Sequence, residues 1–299
     1  MATLHDVMTG IASNEAINSF VAGNDLARGL MQRVAGGESP DEAMLMVHDL
    51  ADSGRFVSLD RAWAPDGDLD AVVRDYELMI ALLGASGLGS IADVVIPAAM
   101  LSVPRGPEAL HELCAEATDA KTTIMIATAE TETVDACIEA AAHQQQIGRD
   151  VGVVLQASLR RTELDCTEIN GRVRLVKSGI DVRERERFSH DLEVDKSYVR
   201  CVKALMRRPE TRASFATHDS RLVGIIENLA ERFDRSSGDY EFAMYLGRAA
   251  SLQERLVEAG EDVRVYVPFG PDWLGRLVGG LAERPRGLGA GLRSLIPGR

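Results

Sequence analysis

The feature that most constrains this chain is an alternation of strand-like and helix-like stretches, repeated eight times. Short apolar runs rich in Val and Ile recur along the 299 residues: RFVSLD, ADVVIPAAML, TTIMIAT, VGVVLQA, VRLVK, ASFATH, YEFAMYL and VRVYVPF. They do not alternate strictly between apolar and polar, which is the pattern of strands covered on both faces. Between them, DLDAVVRDYELMIALLGASG, TVDACIEAAAHQQQIG and DSRLVGIIENLAERF carry helical spacing. The first closes on glycines and the last opens on Asp219, an N-cap residue type. Eight strand-then-helix units predict an α/β protein, a TIM-type (β/α)8 barrel. Ahead of the first strand, residues 13–50 read as two helices, the second being SPDEAMLMVHDLADSG. The expected organisation is one structural domain, with a helical segment at 1–50 packed on a barrel at 51–299.

Composition narrows the function classes. The net charge is −13, from 33 basic and 46 acidic residues, which argues against a general binder of nucleic acid or anionic membranes. A local basic pocket for a phosphate remains compatible with it. The four cysteines lie far apart with no CxxC pairing, so buried reduced thiols are expected. The six histidines form no HExxH or HxH cluster, and no metal is expected. The opening MATLHDVMTG lacks the basic and apolar parts of a signal peptide, and no apolar run reaches the ~18–20 residues of a membrane span. The expectation is a soluble cytoplasmic protein.

In a barrel of this kind, chemistry sits at the C-terminal strand ends. Those ends are Pro97 with Ala98, Ala127 to Glu130, Gln156, Lys177, Thr217 to Asp219, Met244 with Tyr245, and Tyr266. Gln156, Arg174, Lys177 and His218 offer a donor-rich surface for a large polar cofactor. The second and third strands offer almost nothing ionisable.

The stretches VGVVLQASLRRTELDC, VRLVKSGI, VDKSYVRCVKALM, ATHD, YEFAMYLG and VRVYVPFGPDWLGRLVGGLAERP stand in the order and spacing of the proline dehydrogenase family. The chain resembles its single-domain bacterial form, with weaker likeness at FVAG and DLADSGRFVSLD. The resemblance implies the distorted barrel of that family, FAD lying across the strand ends, and a final helix that helps close the substrate pocket. It puts Gln156 near the flavin ring and Arg174 at its reactive edge, where a positive charge stabilises the reduced flavin. It matches Lys177 to the lysine of a VKGA motif, Thr217 and His218 to contacts with the phosphate and adenosine part, and Glu283 to the acidic residue of LAER.

The substrate-facing positions depart from the family. Pro97 stands where VKLS has its lysine, and Ala127 and Ala129 stand where DxE has its acids. Shifting the third strand by one residue to use Glu130 would turn the wrong face inward. VKGAY ends here in Ser178, Gly179 and Ile180. RRLAERP becomes GGLAERP, so Gly279 and Gly280 replace two carboxylate-clamping arginines. Tyr266 keeps the tyrosine of the last strand, in a position to orient substrate or relay a proton. Tyr245 replaces a leucine. The resemblance thus implies an FAD-dependent oxidoreductase acting on a CH–NH group by hydride transfer. Its small-molecule substrate would be an amine or cyclic compound other than proline, in a pocket of Pro97, Ala127, Ile180, Tyr245, Tyr266, Gly279 and Gly280. Two alternatives stay open: a non-catalytic homologue acting as partner or regulator, and a genuine proline dehydrogenase with an unusual pocket. The electron acceptor is not legible.

Overall fold

Eight parallel strands close on themselves in the computed structural model, which describes residues 35–63, 67–128, 131–178 and 186–271. The strands are β1 (Phe56–Arg61), β2 (Ala92–Pro97), β3 (Thr123–Ala127), β4 (Val151–Gln156), β5 (Arg172–Val176), β6 (Arg212–Ala216), β7 (Tyr240–Tyr245) and β8 (Val263–Phe269). Each falls in one of the eight apolar runs, and β1 pairs in parallel with β8 to close the barrel. The helices are α1 (Pro40–Asp52), α2 (Leu69–Ser86), α3 (Gly106–Asp119), α4 (Val134–Gln146), α5 (Thr162–Glu168), α6 (Asp191–Met206), α7 (Ser220–Arg232) and α8 (Ala250–Glu258). The expected (β/α)8 architecture is what the chain adopts.

Local signals set the helix ends. The α1 N-terminus combines a Ser39 hydroxyl that accepts from the Glu42 N–H with Pro40 in the first turn. Asp68 caps α2, which ends at Gly87 in the left-handed conformation (φ 72°). Asp219 caps α7 by accepting from the Arg221 N–H at 2.9 Å. The second of the two expected N-terminal helices is α1. The first lies outside the described residues. The segment before α1 is tied to the barrel through hydrogen bonds from Gly36 N to Pro268 O and from Gly270 N to Gly37 O.

Period-2 alternation divides the strand side chains into two populations. Outward residues such as Val57, Leu59, Val94, Ile96, Phe215 and Phe242 form the large core against the helices. Inward residues form layers. In the mouth-side half, Val95, Met125 and Val154 make a separate apolar cluster with Ala127, Val176 and Tyr266. Beneath it lie Ser58, Asp93, Arg174, Ser214, Glu241 and Arg264, each no more than 5% exposed. Gly152 of β4 makes room beside them, since a Cβ there would lie 2.6 Å from Arg172 Cβ and 2.7 Å from Met125 Sδ. All four cysteines are buried free thiols, and burial pushes Cys114 and Cys137 up to about 12.

Candidate active site

The C-terminal rim collects most of the expected residues on adjacent strands. Gln156 ends β4, Lys177 follows β5, Thr217 and His218 follow β6, Tyr245 ends β7, and Tyr266 lies in β8. Neighbouring strands are about 4.8 Å apart, so these side chains form a continuous arc. Gln156 is 1% exposed and donates through Nε2 to Thr128 O at 3.0 Å. Lys177 forms an ion pair with Asp195 of α6. The Thr217 hydroxyl accepts from the Asp219 N–H at 3.1 Å.

From β6 onward the arc becomes aromatic. His218 Nε2 accepts from the Tyr245 N–H at 2.9 Å, which requires the neutral imidazole. Burial, with Arg248 nearby, lowers its pKa to about 4. The His218 ring stacks on Tyr245 with centroids 5.6 Å apart, and Tyr245 meets Tyr266 edge-on at 4.9 Å. Tyr266 donates its phenol to the Asp60 carboxylate of β1. Sequence reasoning missed Asp60. The signal was available, because Asp60 shares the inward face of β1 with Ser58, which the buried network uses.

Arg174, expected from the resemblance at the flavin's reactive edge, is engaged by buried partners. Its guanidinium crosses the barrel, with Nη2 at 2.5 Å from Asp93 Oδ2, Nη1 donating to Ser58 Oγ at 2.7 Å and Nε to Ser214 Oγ at 3.3 Å. Arg264 approaches Asp93 at 3.1 Å and makes a two-pronged contact with Glu241 at 2.7 and 2.9 Å. Two arginines and two carboxylates therefore balance one another in the layer below the rim. Burial alone would raise the Glu241 carboxyl. The charge and hydrogen bonds of Arg264, aided by Arg174 and Ser214, overturn that and hold it at about 2. In this structure Arg174 is held by this network rather than directed outward beside Gln156 and Lys177. The physical reason is Asp93, a buried acid that the sequence reading passed over.

At the second and third strands, Pro97 pairs with Ala127 and Val95 with Met125. Ala127 joins the inner apolar cluster, so the register runs without the one-residue shift. Among the described residues at these strand ends, Pro97, Ala98, Ala127 and Thr128 carry no charge. Glu130, Ile180, Gly279, Gly280 and Glu283 lie outside the described residues. Among the described residues, no group of three or more His, Cys, Asp or Glu is placed to hold a metal ion. Nor is any helix of the described residues long and apolar enough to cross a membrane.

Comparison with known proteins finds partial similarity to proline dehydrogenases. The family model for proline dehydrogenase matches residues 187–275, which carry α6 through β8 and hence Thr217, His218, Tyr245 and Tyr266. Proline dehydrogenase 2 of Bacillus subtilis is 35% identical over 138 residues, 45% of this chain and 45% of that protein. Proline dehydrogenase of Deinococcus radiodurans is 28% identical over 151 residues, 50% of this chain and 48% of that one. The similarity thus spans about half the length of each curated relative. Among solved structures, proline utilization A from Bdellovibrio bacteriovorus, inactivated by N-propargylglycine, superimposes with a TM-score of 0.77. That match has 19% identity over 92% of this chain and 35% of the larger one, and it speaks for the barrel alone. The family match and the curated relatives thus make this chain similar to proline dehydrogenases over part of its length, and the closed barrel is consistent with that likeness.

Proposed function

We propose that this chain is a flavin-dependent oxidoreductase of the proline dehydrogenase type, oxidising a carbon next to nitrogen in a small amine or cyclic substrate other than proline. The observation that carries the reading is the polar arc across β4 to β6 beside an uncharged β2–β3 wall. An elongated polar cofactor fits the arc. Gln156 contributes an amide, Lys177 an ammonium and Thr217 a hydroxyl on three successive strand ends, and the neutral His218 ring backs the aromatic side. When bound there, FAD supplies the hydride acceptor. The chain's own residues do the rest. Val95, Met125 and Val154 close the barrel interior to water beneath the substrate, and Asp60 fixes the Tyr266 phenol toward the mouth. Tyr266 is the residue placed to orient a substrate or pass a proton.

The uncharged pair Pro97 and Ala127 favours a substrate without a free carboxylate. One observation favours the non-catalytic alternative: Arg174, the cation expected at the reactive edge, is neutralised by Asp93. The four buried free thiols suit a reducing compartment, which supports a cytoplasmic location.

The visible absorption spectrum of the purified protein, with and without added FAD, tests the reading. A bound-flavin spectrum that proline leaves unbleached and a carboxylate-free amine bleaches is the expected result. Bleaching by proline would identify a genuine proline dehydrogenase. Absence of flavin even with FAD supplied would leave the non-catalytic barrel.

A further inference from the structure

We infer that Thr128, just past the end of β3, is a positioning residue: it fixes the side-chain amide of Gln156 and so sets the cofactor arc against the uncharged substrate wall. The role rests on that arc being the flavin site, as proposed above. Sequence reasoning gave Thr128 no role of its own.

Three observations carry it. Thr128 continues the β3–β4 ladder one residue beyond the paired Ala127 and Val154. Its N–H reaches Val154 O at 3.4 Å, a long bond, while its hydroxyl donates to the same oxygen at 2.6 Å. The hydroxyl therefore holds this piece of backbone more firmly than the ladder does. Second, the carbonyl so placed accepts from Gln156 Nε2 at 3.0 Å. Each side chain thus grips the backbone of the other's strand. Third, Gln156 is held from behind, because Thr162 Oγ1 of α5 donates to its carbonyl at 2.6 Å. Thr128, Gln156 and Thr162 are 6%, 1% and 1% exposed, so water competes little for these bonds.

The arrangement limits what Gln156 can do. A glutamine side chain has several rotatable bonds, and one that donates to a fixed carbonyl gives up most of that freedom. Period-2 alternation puts Ala127 of the wall and Gln156 of the arc on the interior face of neighbouring strands, Ala127 being packed in the inner cluster with Val154. Thr128 ties those two strands together where the cofactor and substrate sides adjoin. Hydride transfer depends on that spacing, since a misplacement of about 1 Å costs on the order of a hundredfold in rate.

Three proteins test this: the wild type, Thr128→Val, which keeps the shape and loses the donor, and Thr128→Ser, which restores the donor. With isotope-labelled glutamine, the Gln156 side-chain NMR signal is identified by its absence from Gln156→Met. Exchange of that amide with water should quicken about tenfold in Thr128→Val, the scale of one buried hydrogen bond, and return toward the wild-type rate in Thr128→Ser. FAD affinity, measured by quenching of flavin fluorescence, should weaken and recover in the same pattern. The absorption maximum of the bound flavin should shift in Thr128→Val alone. Unchanged Gln156 exchange in Thr128→Val would overturn the inference. So would a lowered melting temperature with unchanged flavin affinity and spectrum, the mark of a merely structural threonine. Thr128→Ser behaving like Thr128→Val would overturn it too, because packing of the methyl would then be what matters. A wild type that takes up no FAD, while its Gln156 amide responds as expected, would refute the flavin reading and leave the hold of Thr128 on Gln156 standing.

Discussion

Asp93→Asn is the perturbation that most directly probes the barrel interior. Asp93 is 3% exposed and accepts from Ser58 Oγ at 2.6 Å while contacting Arg174 at 2.5 Å and Arg264 at 3.1 Å. The amide is nearly isosteric, so packing is preserved and only charge is removed. Two buried guanidiniums would then share Glu241 alone, leaving one positive charge uncompensated in low dielectric. Breaking a buried pair in this way costs about 3–5 kcal/mol. At roughly 2–4 °C per kcal/mol for a chain of this size, the melting temperature should fall by about 10 °C. Urea unfolding followed by far-UV circular dichroism at neutral pH measures the loss. Salt should not restore it, because buried charges are poorly screened. The companion variant Asp93→Asn with Arg174→Met removes both partners and should recover most of the stability, since a buried pair can be exchanged for apolar packing at little cost. A loss below about 1 kcal/mol in the single variant, or a double variant as unstable as the two singles summed, would refute the charge-balance reasoning.

Three further expectations concern protons and glycines. Glu241 is held at about 2 against an ordinary 4.5, so its contribution is fully present above pH 4.5 and is lost as the pH falls through 2. The shift corresponds to on the order of 3 kcal/mol, and Glu241→Gln should flatten that part of an acid-unfolding curve. His218, lowered to about 4 from 6.5, is stabilising while neutral, so stability should decline as the pH falls from 6.5 through 4. Urea midpoints at pH 7 and pH 5 should differ in the wild type and coincide in His218→Gln. Gly89→Ala would set a Cβ 1.8 Å from the Ala120 carbonyl oxygen, backbone that cannot yield, and should cost about 1–3 kcal/mol. Gly224→Ala, with open space around it inside α7, should instead gain about 1 kcal/mol; thermal melts of the pair decide.

The barrel was legible because each strand falls in a short apolar run and several helices carry their own caps. Asp219 and the glycines after α2 sit where their chemistry predicts. The rim was legible for the same local reason: a strand end is found by where an apolar run stops, and Gln156, Lys177, Thr217 and His218 follow from that. The destination of Arg174 was not. Its partners Ser58 and Asp93 are 116 and 81 residues away, and nothing local distinguishes a strand arginine aimed at the mouth from one folded across the barrel. A charged residue on the inward face of an otherwise apolar strand was the available warning, and Asp93 in ADVVIP carries it. Asp60 and Tyr266 are 206 residues apart and meet only because β1 and β8 close the barrel. Pairings of that kind belong to topology, and no spacing in the sequence reports them.

The layering has a consequence for how such a site changes its substrate. The ionic layer is electrically closed, with Arg174 and Arg264 against Asp93 and Glu241, so substitutions at the mouth neither draw on those charges nor disturb them. The apolar cluster of Val95, Met125 and Val154 borders it, with Val95 in register with Asp60 and Val154 in register with Arg174. Among the described residues, the groups at the mouth include Asp60, the Lys177–Asp195 pair and the neutral His218. Substitutions at Pro97 and Ala127 leave the four paired residues in place and should therefore change the mouth at little cost in stability.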